Sequence, residues 1–243
     1  MGYLVRSIKD VKGKEIATGV MERILVSADE TASKSLTLKH LVIESGCKYG
    51  PVQTGAGEAL LYCISGHGNL TYRGIFAPQY FTLYEFEGDK FSLIPPARDF
   101  YIVNLGEGSL RMVHVSYKLP EMKPRGMVEI FSKDNPPRTD MVPGVISRVL
   151  LPPEVISAKG MEKFAAFESE TMSPHSKAGP QTFSPNTETI AYLIRGEGKV
   201  TVDKQELRLG PGTAVYNGHP HVPRTLESTT DDVMVWLEII GRA

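Results

Sequence analysis

The chain is poor in the features that would assign it at sight. Of its 243 residues only two are cysteines, Cys47 and Cys63. Two cysteines make no disulfide framework, and these stand too far apart for a redox pair. Such usage suits a reducing, intracellular compartment. The opening residues, MGYLVRSIKD, hold no apolar run of the kind a secretion signal needs. Arg6 stands where N-myristoylation requires Ser or Thr. No stretch approaches the length of a membrane span. The formal net charge is -1 and no Lys/Arg run stands out, which argues against nucleic acid as a partner. Helical periodicity is scarce. Ser-His-Asp elbows, phosphate loops and CxxC pairs are all missing. With 41% apolar and 23% charged residues, an ordinary globular protein of cytoplasmic location is expected, with neither nucleic acid nor membrane as partner.

What the chain does have is a repeat. GVMERILV at 19–26 is answered by GVISRVLL at 144–151. EALLYCISGHG, starting at Glu58, is answered by ETIAYLIRGEG, starting at Glu188. GDKFSL from Gly88 aligns with GTAVYN from Gly212, and LRMVHV from Leu110 with DVMVWL from Asp232. The copies lie about 120–130 residues apart, a domain length rather than a solenoid period. Matching positions become informative: Tyr62 and Tyr192 fall on corresponding strands, on the face opposite the expected interior, and suit packing between the units or a subunit contact. Arg23 and Arg148 also match, which suggests an ion pair between the units.

Most segments read as short strands rich in β-branched, aromatic and aliphatic residues. They are 36–43, 59–65, 91–94, 101–103 and 110–117, then 163–168, 190–194, 199–202, 212–216 and 233–240. Gly66-His67-Gly68 and Gly196-Glu197-Gly198 sit between strands, where glycine permits a tight turn, so they are hairpins and not phosphate loops. Pro136, Pro137 and several charges mark a linker, and Pro152-Pro153 opens a segment suited to one helical turn. The fold class expected is all-β. An N-terminal unit at 1–125 and a C-terminal unit at 144–243 are joined by a linker at 126–143.

The repeated unit resembles a cupin, and the chain resembles a bicupin, two tandem jelly-roll barrels. The family's first motif is a Gly, a His-x-His pair, a Glu, and strand residues ending at Gly. Its second is Gly-Asp, a short strand, Pro-x-Gly, a His, then Asn. Copy one matches the second motif with Gly88-Asp89, Pro95-Pro96-Ala97 and Asn104, and has Phe100 at the histidine position. Copy two gives Gly212 and His219-Pro220-His221, with His221 at the histidine position.

The resemblance implies a divalent transition metal, iron, manganese, nickel or zinc, held by imidazoles and a carboxylate inside a barrel. Copy one has no histidine in its His-x-His region and is expected to be a degenerate barrel without metal. In copy two, His221, His219, His175 and Glu188 form the candidate metal set, His221 doubling as candidate catalytic base. Gln181 and Phe183, in the His-x-His region, are candidate ligand contacts. Strand alternation puts Thr189, Ala191 and Leu193 inward and Glu188 outward unless a bulge re-aims it. Arg98 and Asp99 read as an exposed ion pair.

Three functions remain open. One is a small-molecule site in the C-terminal barrel of a metal-dependent isomerase or dioxygenase-type enzyme acting on a small organic acid or sugar. The second is a metal-free ligand-binding or sensing bicupin. The third is a storage-like role. A homodimer is expected. The residues leave open whether the protein is an enzyme.

Overall fold

The computed structural model describes residues 2–73, 80–121, 128–132, 138–142, 144–219 and 221–243. Among the described residues each copy contributes eleven strands. Those of copy one are β1 (Tyr3–Ser7), β2 (Lys14–Ala17), β3 (Val20–Val26), β4 (Leu36–Ile43), β5 (Lys48–Gln53), β6 (Gly57–Ser65), β7 (His67–Arg73), β8 (Tyr80–Glu87), β9 (Lys90–Ile94), β10 (Asp99–Asn104) and β11 (Leu110–Lys118). Those of copy two are β12 (Glu129–Ser132), β13 (Arg138–Val142), β14 (Val145–Leu151), β15 (Phe164–Met172), β16 (Lys177–Gln181), β17 (Thr187–Arg195), β18 (Gly198–Val202), β19 (Gln205–Leu209), β20 (Thr213–Asn217), β21 (Arg224–Ser228) and β22 (Met234–Arg242). The short helix α1 (Pro153–Ala158) begins at a proline, whose missing N–H costs nothing in a first turn. No helix among the described residues is long and apolar enough to cross a membrane.

Each barrel is a jelly roll of two sheets. Copy one has the seven-stranded order β12-β9-β6-β11-β4-β3-β2 and the four-stranded order β5-β10-β7-β8. Copy two repeats this as β1-β20-β17-β22-β15-β14-β13 and β16-β21-β18-β19. The first strands are exchanged: β1 pairs with β20 of the C-terminal barrel, and β12 with β9 of the N-terminal barrel. The segment expected to be a linker thus contains β12 and β13, while 133–137, with its two prolines, lies outside the described residues. The hairpin glycines Gly66 and Gly196 take φ of 96° and 80°, the left-handed region glycine favours.

Strand alternation sorts the side chains into three cores. On β6, Leu61 and Cys63 point into the N-terminal barrel with Phe86, Phe100 and Met112. On β17, Ala191 and Leu193 point into the C-terminal barrel with Val200, Leu226 and Trp236. The opposite faces meet: Tyr62 and Phe91 pack edge-on against Phe167, with ring centroids 6.0 and 5.1 Å apart. Tyr192 belongs to the same inter-barrel core. The outward tyrosines are therefore barrel-to-barrel contacts. Each fully buried side chain of this kind contributes roughly 1.5–3 kcal/mol.

Polar groups fix this interface. Glu58 is completely buried and accepts backbone N–H bonds from Glu162, Lys163 and Phe164 of the other copy, at 2.8, 2.6 and 2.8 Å. Burial pushes its carboxyl up, against the lowering effect of the three bonds. The matching Glu188 accepts from the Tyr216 hydroxyl at 2.9 Å, and that oxygen accepts the N–H of Ala32 in copy one at 2.5 Å. His40 and Tyr192 meet across the interface, Nδ1 to hydroxyl, at 2.7 Å. The expected ion pair through Arg23 or Arg148 is replaced: Arg23 lies in register with His40, and neither arginine joins the barrels by an ion pair among the described residues.

Replacing Glu58 strands three N–H groups, that of Phe164 buried and those of Glu162 and Lys163 half-buried, each worth about 1–3 kcal/mol when unpaired. Glu58→Ala should lower the unfolding free energy by at least ~3 kcal/mol in urea titration. A loss under about 1 kcal/mol would mean the carboxylate does not hold the barrels together.

Candidate functional site

The inward faces of β15, β21 and β22 bring unusual residues into the C-terminal barrel. Arg224 is fully buried, Glu238 is 1% exposed and Glu170 is 6% exposed. The Arg224 guanidinium pairs with Glu238 through Nη2 and bonds the Gln181 Oε1 through Nε and Nη2, at 3.3 and 3.2 Å. The Phe183 ring covers the guanidinium at 4.8 Å. Gln181 lies close enough to Glu170 to favour its charged form. Burial, then the Glu238 charge, push the Glu170 carboxyl up to about 8 against the opposing pull of Arg224. Several buried polar atoms here have no partner among the described residues: Arg224 Nη1, Glu238 Oε1, Glu170 Oε2, Trp236 Nε1 and Thr189 Oγ1. Buried polar groups are normally satisfied by protein or by ordered water.

Gln181 and Phe183 are thus part of the constellation, but the histidines lie elsewhere. His219 and His221 are exposed, with ring centroids 5.8 Å apart, in the loop before β21. His175 is exposed near the other end of β21, where Ser176 accepts the N–H of Ser228, and its Nε2 sits 2.8 Å from Asp231. Glu188 faces outward into the inter-barrel core, as alternation implies, because Ile190 and Tyr192 share its side of β17. The four do not converge, and no group of three or more His, Cys, Asp or Glu suited to a metal occurs among the described residues.

The displacement of His221 has a definite cause. Tyr62 pairs with Phe91 and the matching Tyr192 with Ala214, so Asp89, not Gly88, corresponds to Gly212. Both occupy the same left-handed turn, with φ of 67° and 85°. Aligning glycine on glycine shifts the second motif by one residue. In the pairing of β7 with β10 and of β18 with β21, Gly68 opposes Asn104 and Gly198 opposes Ser228. Phe100 then corresponds to Arg224. The final strands also shift by two: Met112 opposes Cys63 and Trp236 opposes Leu193, so His114 corresponds to Glu238. An arginine in a strand of alternating pattern is the available signal, and the glycine alignment hides it.

The N-terminal barrel fills the same positions differently. His114 replaces Glu238 and bonds the Tyr49 hydroxyl through Nδ1 at 3.0 Å, with Phe100 edge-on at 5.9 Å. Burial, then the Lys39 charge, depress His114 to about 3. Lys39 and Glu22 pair at 2.8 Å. Arg98 is buried in the loop before β10 and bonds the carbonyls of Pro96 and Ala97, while Asp99 pairs with Arg73. The expected Arg98–Asp99 pair is thus replaced by two separate contacts.

At the family's ligand positions the C-terminal barrel holds Gln181, Phe183, Thr189 and Arg224, and the N-terminal barrel Val52, Thr54, Ala59 and Phe100. None is an imidazole or carboxylate, and a guanidinium repels a cation. These residues do not fit a divalent transition metal.

Comparison with known proteins agrees with the fold. Residues 169–240 match the family described as Cupin domain. Curated protein sequences give no match. Among solved structures, the chain is similar to a Pseudomonas aeruginosa protein designated as glyoxylate induced, with TM-score 0.76, 11% identity, and 100% and 88% of the two chains covered. It is similar to a single-residue variant of Bacillus subtilis oxalate decarboxylase, with TM-score 0.74, 14% identity, and 100% and 78% covered. It is also similar to hazelnut (Corylus avellana) vicilin, with TM-score 0.75, 12% identity, and 98% and 85% covered. Residues 169–240 thus carry a cupin domain, and the chain as a whole has the fold of two tandem cupin barrels.

Two outcomes test the buried cluster. Arg224→Leu leaves Glu238 buried and unpaired, at a cost of about 3–5 kcal/mol. The double change Arg224→Leu, Glu238→Leu should recover most of that in denaturant unfolding; no recovery would assign the pair a structural duty. Glu170 is raised to about 8 in the folded state from an ordinary 4.5, so the native state loses stability as pH rises between those values. Glu170→Gln removes this loss. Its melting temperature should rise relative to the parent as pH climbs from about 5 to 8, then stay parallel. A pH-independent difference would show that Glu170 ionises normally.

Proposed function

We propose that this bicupin is a metal-independent binder of a small polar molecule, held in the C-terminal barrel. The observation that carries the reading is the replacement of the family's second-motif histidine by a buried arginine, surrounded by polar atoms without partners among the described residues. Arg224, Glu238 and Trp236 face the barrel interior, and Gln181 and Phe183 lie half-buried against the Arg224 guanidinium. The location is supported by analogy with small-molecule sites, which set a few convergent polar groups within apolar walls.

A catalytic reading is supported by Glu170. A carboxylic acid kept neutral at pH 7 beside a guanidinium can donate a proton to a bound molecule. That would give proton-transfer chemistry of the isomerase kind without a metal.

Elemental analysis of the untagged protein, beside its His221→Ala and Arg224→Leu variants, tests the reading. No stoichiometric transition metal is expected in any of them, and EDTA should leave the melting temperature unchanged. Native mass spectrometry should show a co-purified small molecule in the parent and not in Arg224→Leu. A stoichiometric metal whose removal lowers the melting temperature by several degrees would overturn the proposal in favour of a metal-dependent enzyme.

A further inference from the structure

The open edge of the small C-terminal sheet carries a charge pattern that complements itself. β19 ends the order β16-β21-β18-β19, and Gln205, Glu206 and Arg208 are exposed on it. The turn before it fixes which backbone groups are free. Asp203 and Lys204 take φ of 47° and 66°, the two left-handed residues of a type I′ hairpin turn. Such a turn is closed by bonds between its flanking residues, Val202 and Gln205, which are in register. Alternate residues of an antiparallel ladder turn their N–H and C=O to opposite sides. Gln205, Leu207 and Leu209 therefore bond β18, while Glu206 and Arg208 turn their backbone groups to the open side. No strand among the described residues pairs with that side.

The two copies differ here. In copy one the equivalent β8 lies against β12. In copy two the Tyr3 hydroxyl donates to Gln205 at the start of β19. Beyond that bond the sheet edges part around a cavity of about 650 Å³, bordered by Glu206, Leu207 and Arg208 on one side and by Ser7 and Lys9 on the other. The edge of β19 is thus open to an incoming strand.

Its own sequence selects that strand. Paired with itself, antiparallel and centred on Leu207, β19 sets Glu206 of each chain opposite Arg208 of the other. The free backbone groups then meet in two hydrogen-bonded pairs, and Leu207 meets Leu207 in the closer, non-hydrogen-bonded pair between them. Unlike charges directly opposite each other attract. Arg208 lacks such a partner within its own chain. It stands opposite Lys199, whose ammonium goes to Glu206 and Glu227, both at 3.4 Å, and it makes no ion pair among the described residues. A charged edge normally keeps other strands away. Here opposite charges two residues apart turn that repulsion into a match with a second copy. The edge strand β2 has no such match: pairing Lys14–Ala17 with itself sets Lys14 against Ala17 and Glu15 against Ile16.

We infer that two copies of this chain associate through β19, joining their four-stranded sheets into one of eight strands about a two-fold axis. A single short strand edge makes a contact of the weak, reversible kind.

Sedimentation equilibrium of the full chain from about 10 µM to 1 mM tests it. The parent should pass reversibly from monomer to dimer. Glu206→Arg and Arg208→Glu each set like charges opposite one another at both ends of the contact, and should weaken association about tenfold or more. Mixing the two variants brings unlike charges together again and should restore association. So should the double exchange Glu206→Arg, Arg208→Glu in one chain. The substituted side chains are exposed, and melting temperatures report whether each variant folds. A second measurement needs no variant: amide exchange at Glu206 and Arg208 of the parent should slow as concentration rises, while that at Leu207, already bonded within the sheet, stays constant. A parent that is monomeric throughout, or whose association neither single change weakens, would overturn the inference. Loss of association that the mixture does not restore would do the same, as would exchange at Glu206 and Arg208 that is independent of concentration.

Discussion

Neither large sheet can exist alone, because each is apolar on both faces. Leu61, Cys63 and Met112 require one cover while Leu60, Tyr62 and Val113 require another. A single jelly roll covers only its inner face. The second copy supplies the missing cover, and Glu58 fixes its position by binding three consecutive backbone N–H groups across the junction. The exchange of β1 and β12 ties each barrel's sheet to the other copy's chain. The unit of stability is therefore the pair of barrels, and the interior of each is released from the task of holding the two together.

That release explains how the two interiors diverged. Matching inward positions carry Leu41 and Glu170, Lys39 and Glu168, His114 and Glu238, Phe100 and Arg224. The N-terminal barrel pairs its polar groups: Lys39 with Glu22, His114 with Tyr49. The C-terminal barrel leaves polar atoms open around Arg224. A buried ion pair is a weak source of stability and can often be replaced by apolar residues without loss, so Arg224 and Glu238 are not explained by stability alone. The frame of sheets is that of the structural neighbours, while the positions where the resemblance implies metal ligands hold Gln181, Phe183, Thr189 and Arg224.

Both carboxylates that begin the repeated strand, Glu58 and Glu188, show how position decides role. The family pattern makes Glu188 a candidate metal ligand. Its place, one residue out of phase with the inward face, sends it to the interface together with Glu58. There one binds backbone N–H groups and the other a tyrosine hydroxyl. A strand offers two faces only, and a shift of one residue exchanges them completely.

Local pattern is enough to read the strands, the duplication, the hairpin turns and the inward or outward direction of side chains. Period-two alternation and glycine placement are properties of neighbours in the chain, and the strand at 36–43 is legible to the residue. Tyr62 and Tyr192 fall on the outer face by the same rule. Which residues meet is a matter of the folded chain alone. Equivalence between copies depends on pairing across strands, where Asp89 and Gly212 share one left-handed turn despite their different chemistry. The two sheets of each barrel close over contacts far apart in sequence: Gln181, Arg224 and Glu238 come from three strands. Burial of Arg224 beside Glu238 follows from that closure, because no local pattern distinguishes an inward arginine with a partner on another strand from one that reaches solvent.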